Sequence, residues 1–104
     1  KDERGKPVCE QGYLSLAHSG DYAIAVHSDR PIGVDIERIR PLSPALAARL
    51  GDDPLNSWVK KEALGKALGI GVYRVLDEPF PDGWDFSFPA APEGYVIAIC
   101  EKQP

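Results

Sequence analysis

The chain has little of what marks several large protein classes. It holds two cysteines, Cys9 and Cys100, near opposite ends of its 104 residues. They have neither CxxC spacing nor histidines at zinc-ligand intervals, which argues against a structural metal cluster and leaves free thiols in a reducing compartment as the expectation, a single bridge being the alternative. No apolar run approaches the roughly 18 residues that a spanning helix needs. The opening "KDERGKP" has no apolar signal-peptide core. We therefore expect a soluble, cytoplasmic protein, with further residues upstream because the chain opens on Lys1 and not on Met. Nor is there an excess of positive charge: 12 basic against 16 acidic side chains give a net charge of −4. That balance argues against nonspecific binding to nucleic acid or to an anionic membrane, so any phosphate-binding role must rest on locally placed lysines. Internal repeats and low-complexity segments are lacking too.

What is present is enough apolar residue, 43% of the chain, for one core and one domain over residues 1–104. The first twelve residues are charged and broken by Gly5, Pro7 and Gly12, which reads as a surface tail or loop. "YLSL" (Tyr13 to Leu16) and "YAIAVH" (Tyr22 to His27) are short strand-like runs, with "AHSGD" between them as the turn. "IGVDIERI", Ile32 to Ile39, follows as a third strand. Ser43 and Pro44 make an N-cap and first-turn pair for a short helix over Pro44 to Leu50, which Gly51 ends. The helix formers from about Trp58 to Leu68, capped by Asn56 or Ser57, predict the longest helix. "YRVL", "WDFSF" and "YVIAIC" predict a C-terminal antiparallel meander. The fold class expected is α+β, an antiparallel sheet containing Ile32 to Ile39 and covered on one face by the long helix.

Three carboxylates carry the chemistry. Asp35 and Glu37 are two residues apart on one strand and so point to the same side. By themselves they are also what a solvated sheet face looks like. At about 100° per residue, Trp58, Glu62, Gly65, Lys66 and Gly69 share one stripe of the long helix. The plain alternative there is an i,i+4 surface pair between Glu62 and Lys66. Two glycines on that stripe cost helix stability, which points to something approaching closely. Together, the three acids suit a hard cation such as magnesium, completed by substrate phosphates, better than zinc or copper. Nothing places a base beside Ser19 or Cys9 for nucleophilic catalysis.

In order, "GKP" (Gly5 to Pro7), "SLAHSGDYAIA" (Ser15 to Ala25), "IGVDIE" (Ile32 to Glu37) and "WVKKEALGKALGIG" (Trp58 to Gly71) closely resemble the motifs of 4′-phosphopantetheinyl transferases. The block ahead of the acid strand resembles the surfactin-synthetase-activating type in particular, and the resemblance runs from about Gly5 to Cys100. It implies transfer of the phosphopantetheine arm of coenzyme A to a serine of an acyl or peptidyl carrier protein, as used in fatty acid, polyketide or nonribosomal peptide assembly. It further implies Mg2+ held by Asp35, Glu37 and Glu62, the solvent-facing side of the strand serving as a metal shelf, with Glu62 also the candidate base and Lys66 facing the pyrophosphate. Lys61 would contact phosphate, while Lys6 and His18 match the nucleotide pocket of coenzyme A. Trp58 is read as core packing.

The sequence departs from that pattern in three ways. Nearly all of the family's first lobe has no counterpart, the connection from Asp35 to Trp58 is markedly short, and Ala17 stands where the family often has serine. The departures leave three readings: an enzyme completed by a second copy, so a homo-oligomer; a degenerate module that binds coenzyme A or a carrier protein without turnover; and a magnesium-dependent pyrophosphate hydrolase.

Overall fold

The computed structural model describes residues 8–9 and 12–104. Lys6 lies outside the described residues. In chain order the elements are β1 (Val8–Cys9), β2 (Gly12–Ser19), β3 (Tyr22–Ser28), β4 (Ile32–Arg38), α1 (Pro44–Ala48), α2 (Pro54–Leu68), a 3-10 turn at Val72–Arg74, β5 (Trp84–Ser87) and β6 (Tyr95–Lys102). They form two three-stranded antiparallel sheets, ordered β1-β2-β3 and β4-β6-β5. The α+β class and the helix over the sheet are as the periodicities predict.

Strand β4 positions everything that follows, because both of its faces are covered. Val34 and Ile36 pack with Ile97 and with Ala17 of β2, so one face meets the first sheet. In register, Gly33, Asp35 and Glu37 lie beside Cys100, Ala98 and Val96, and Ala98 and Cys100 pack against Val59, Ala63, Leu64 and Ala67 of α2. The acids therefore stand on the helix side of the sheet. A Cβ at Gly33 would collide with the Ala63 carbonyl oxygen and the Ala67 nitrogen, so the bare glycine is what lets helix and strand approach so closely. The two sheets are also tied by a buried polar bridge, the Val34 N–H donating to Ser15 Oγ at 3.1 Å.

Four local expectations change. Helix α2 starts at Pro54, a turn before Trp58, because proline at the first helical position has no N–H to waste and its fixed φ suits the helix. "YRVL" is not a strand: Val72–Arg74 forms a 3-10 turn, and Val75 and Leu76 after it are buried in different clusters, one against α2 and one with Leu50 and Trp58. "AHSGD" is mostly strand, with Ser19 paired to Tyr22 across the tight turn Gly20–Asp21. The glycines of α2, finally, serve the chain itself. Gly69 caps the helix at φ 73°, Ile70 N–H closes onto the Gly65 carbonyl at 2.9 Å, and a Cβ at Gly65 would meet the Ile70 oxygen at 3.0 Å. What approaches closely there is the outgoing chain. Trp58 is buried with Leu50 and Leu76, as expected of a core tryptophan.

Candidate active site

The site sits where the helix side of β4 meets α2 and the carbonyl edge of β2. Asp35 is 6% exposed, so the expectation of a solvent-facing acid shelf is corrected: α2 roofs it over. Glu37, at the end of the strand, is half-buried, and Glu62 on α2 is half-buried too. Lys66 Nζ lies 3.7 Å from Asp35 Oδ1 and donates to the Leu16 carbonyl oxygen at 3.0 Å, bridging helix, acid strand and β2. Glu62 and Lys66 thus border a buried acid and do not form a simple solvated pair.

Burial does most to set the charge state here. Asp35 is pushed up to about 9, first by desolvation, then by its carboxyl partner Glu37 and, more weakly, by Glu62; Lys66 pulls the other way. Glu62 is raised for the same reasons, burial first and the Glu37 charge second, against Lys66. Asp35 Oδ2 is buried with no hydrogen-bond donor. A proton shared with Glu37 relieves that, and so would a cation.

That orphaned oxygen, in an all-carboxylate donor set, fits a hard divalent cation. Among the described residues, no three His, Cys, Asp or Glu side chains are already drawn together as a ligand sphere. The acids expected to hold magnesium are brought into electrostatic contact but not closed around a point.

The remaining predicted residues lie elsewhere. Lys61, one position from Glu62, falls on another side of α2 and is 4% exposed. Its ammonium donates to the Glu78 carbonyl and sits 4.0 Å from the Phe80 ring centre, and burial lowers its pKa. It helps line a cleft of about 460 Å³ with Arg49, Leu76 and Glu78, apart from the acids. His18 is exposed on β2, beside a shallow hollow of about 380 Å³ formed with Leu16, Ala23 and Ala25. Ala17 is in the core between the sheets, 6% exposed.

Sequence reasoning missed two features. Arg40 donates to Glu37 Oε1 at 3.2 Å, and no periodicity could show it because it lies in the irregular connection after β4. Gly33 carries the close helix approach, and a glycine inside an otherwise apolar strand was the available signal.

The α+β domain thus sets one buried carboxylate, Asp35, beside the half-buried Glu37 and Glu62, with Lys66 at their edge. Four curated proteins match the chain, all named 4′-phosphopantetheinyl transferase. Psf-1 of Bacillus pumilus is 44% identical over 88 residues, covering 65% of this chain and 38% of its own length. Gsp of Aneurinibacillus migulanus is 30% identical, covering 70% of this chain and 38% of itself. Sfp of Bacillus subtilis is 30% identical, covering 72% and 42%. Over the matched part, the chain is similar to 4′-phosphopantetheinyl transferases of the surfactin-synthetase-activating type. It spans about two fifths of the length of these relatives. The 88 matched positions of psf-1 take up only 65% of this chain, so the relative's matched segment is the longer. No protein-family model matches. Among the described residues no helix is long and apolar enough to cross a membrane.

Proposed function

We propose that this chain, acting as one unit over residues 1–104, takes part in Mg2+-dependent transfer of the 4′-phosphopantetheine arm of coenzyme A to a serine of an acyl or peptidyl carrier protein in the cytoplasm. The support is the acid group roofed by α2, with its unpartnered Asp35 oxygen, in a chain similar to four proteins bearing that name. Asp35, Glu37 and Glu62 would hold the magnesium, which would neutralise charge on the pyrophosphate oxygens. Glu62, raised above the usual carboxylate range by burial, is the group suited to accept the serine proton as the hydroxyl oxygen bonds to phosphorus. The bond to the bridging pyrophosphate oxygen breaks, and adenosine 3′,5′-bisphosphate leaves. Lys66 supplies fixed positive charge on the phosphate side. Lys6 and His18 remain the candidates for the nucleotide end. Lys61 is not assigned there, since its ammonium would first have to leave the Glu78 carbonyl and the Phe80 ring.

Incubation with coenzyme A, magnesium and apo carrier proteins should add the phosphopantetheine mass to the carrier, read by mass spectrometry. Binding of coenzyme A or carrier protein without that mass gain would replace the enzyme by a non-catalytic binding module.

A second copy is the proposed cover for the outer face of the β2–β3 hairpin, where Leu16 is 53% exposed beside the small Ala23 and Ala25. Sedimentation equilibrium at micromolar protein should then give a dimer or a higher symmetric oligomer, and Leu16→Asp should return it to monomer. A wild-type monomer would refute the assembly.

A further inference from the structure

Glu37 already has a positive partner. Arg40 Nη1 donates to its Oε1 at 3.2 Å and to the Arg38 carbonyl at 3.0 Å. The carboxylate side chain keeps 17% of its surface and the guanidinium side chain 44%, so Arg40 lies on the outside of a largely sheltered acid. On the helix side the corresponding positive group is Lys66, 3.7 Å from Asp35 and anchored to the Leu16 carbonyl. The protein therefore furnishes the acid group with positive charge from both directions. The two groups differ in how they are mounted. Lys66 belongs to a fifteen-residue helix packed on the sheet, whereas Arg40 follows β4 in a segment without regular structure.

We infer that Arg40 is the resident counter-ion of Glu37, occupying the carboxylate that a divalent cation must take and competing with that cation for it. The inference rests on the proposed reading of Glu37 as a ligand. One carboxylate oxygen cannot serve a guanidinium and a divalent ion without bringing like charges within a few ångströms, and in a partly desolvated site that repulsion is poorly screened. The exposed guanidinium is the group that can yield, because a partly exposed ion pair is weakly held and the segment bearing it is irregular. Cation affinity in the intact chain is accordingly set below what the three acids alone would give. Ligand-free Glu37 is meanwhile kept ordered and neutralised.

The test is titration with Mn2+, followed by the electron paramagnetic resonance signal of the free ion, on the full chain and on Asp35→Asn, Arg40→Gln and Arg49→Gln. Arg49 pairs with Asp77 through contacts of 3.0 and 2.6 Å, so its substitution removes the same charge while leaving Glu37 untouched. Arg40→Gln should bind Mn2+ about threefold or more tightly than wild type, as expected for release of a weak, partly exposed ion pair. Arg49→Gln should stay close to wild type. The gap should narrow as salt is raised, since the competing pair is screened. Equal affinities for the two arginine variants, or weaker binding by Arg40→Gln than by wild type, would overturn the inference while leaving the cation site standing. If Asp35→Asn bound Mn2+ as well as wild type did, the acids would not be the cation site, and both the inference and the reading beneath it would fall.

Discussion

Replacing Asp35 by asparagine should abolish phosphopantetheine transfer and yet stabilise the ligand-free protein at alkaline pH. The side chain is 6% exposed and its carboxyl is pushed up to about 9 from an ordinary 3.8, chiefly by burial. Between those two values the folded state binds a proton that the unfolded chain has released. The stability that proton confers is fully present below about pH 4 and is lost progressively as the pH rises toward about 9. Asparagine mimics the neutral acid and removes that share of the slope. Wild type should therefore lose stability relative to Asp35→Asn by roughly 1 kcal/mol per pH unit in the middle of the window. In a domain of this size that corresponds to about 4 to 8 °C in melting temperature per unit.

Calorimetry of both proteins from pH 4 to pH 9 reads the difference directly. Parallel profiles would show that Asp35 carries no proton in the folded protein. Magnesium should raise the melting temperature of wild type at the alkaline end, where the cation replaces the missing proton, and should leave Asp35→Asn unmoved. Transfer by the variant should fall about a hundredfold or more, the loss typical of removing one group from an electrostatic site. Undiminished transfer would remove Asp35 from the reaction.

A buried acid with that behaviour was only partly legible in the sequence. Asp35 and Glu37 on one strand face, and Glu62 with Lys66 on one helix stripe, follow from periods of two and 3.6. The motifs around them carry the family. Periodicity cannot say whether a strand face meets solvent or another element, and here both faces of β4 are covered, so the acids expected on an open shelf are roofed by α2. It also cannot separate neighbours on a helix by what they meet. Lys61 and Glu62 are adjacent in sequence, yet one is held by the Glu78 carbonyl and Phe80 while the other feels the charges of Glu37 and Lys66. The start of α2 was hidden because proline is both a helix breaker and a favoured first helical residue, and Pro54 is the latter. The Arg40 contact depends on the path of an irregular connection, for which sequence has no periodic signal.

Lys66→Ala should depress turnover far more than cation affinity. The side chain is one third exposed, its ammonium is 3.7 Å from Asp35 and 3.0 Å from the Leu16 carbonyl oxygen, and its stem rises from the last turn of α2. A lysine so placed is held by the protein before any substrate arrives, and it presents its charge at the margin of the acids, where pyrophosphate oxygens would lie in the proposed reaction. Fixed charges aimed at a developing oxyanion commonly contribute about 2.7 to 4 kcal/mol, so kcat should fall about a hundred- to a thousandfold. Some stability should go as well, because the carbonyl contact and the attraction to a buried carboxylate are lost together; a hydrogen bond to a charged group is worth about 1.5 to 3 kcal/mol. Lys66 also holds Asp35 down, so its removal should drive that carboxyl further up and carry the loss of stability on to higher pH. The decisive comparison is Lys66→Ala against Lys66→Arg, measured by steady-state transfer and by Mn2+ binding. Arginine should recover the melting temperature and part of kcat, since it keeps the charge but not the compact ammonium that fits the Leu16 carbonyl. If Lys66→Ala melted earlier but turned over within about threefold of wild type, far short of the loss expected for an oxyanion group, the lysine would be a strut between α2 and β2, and the phosphate side of the site would have to be sought elsewhere.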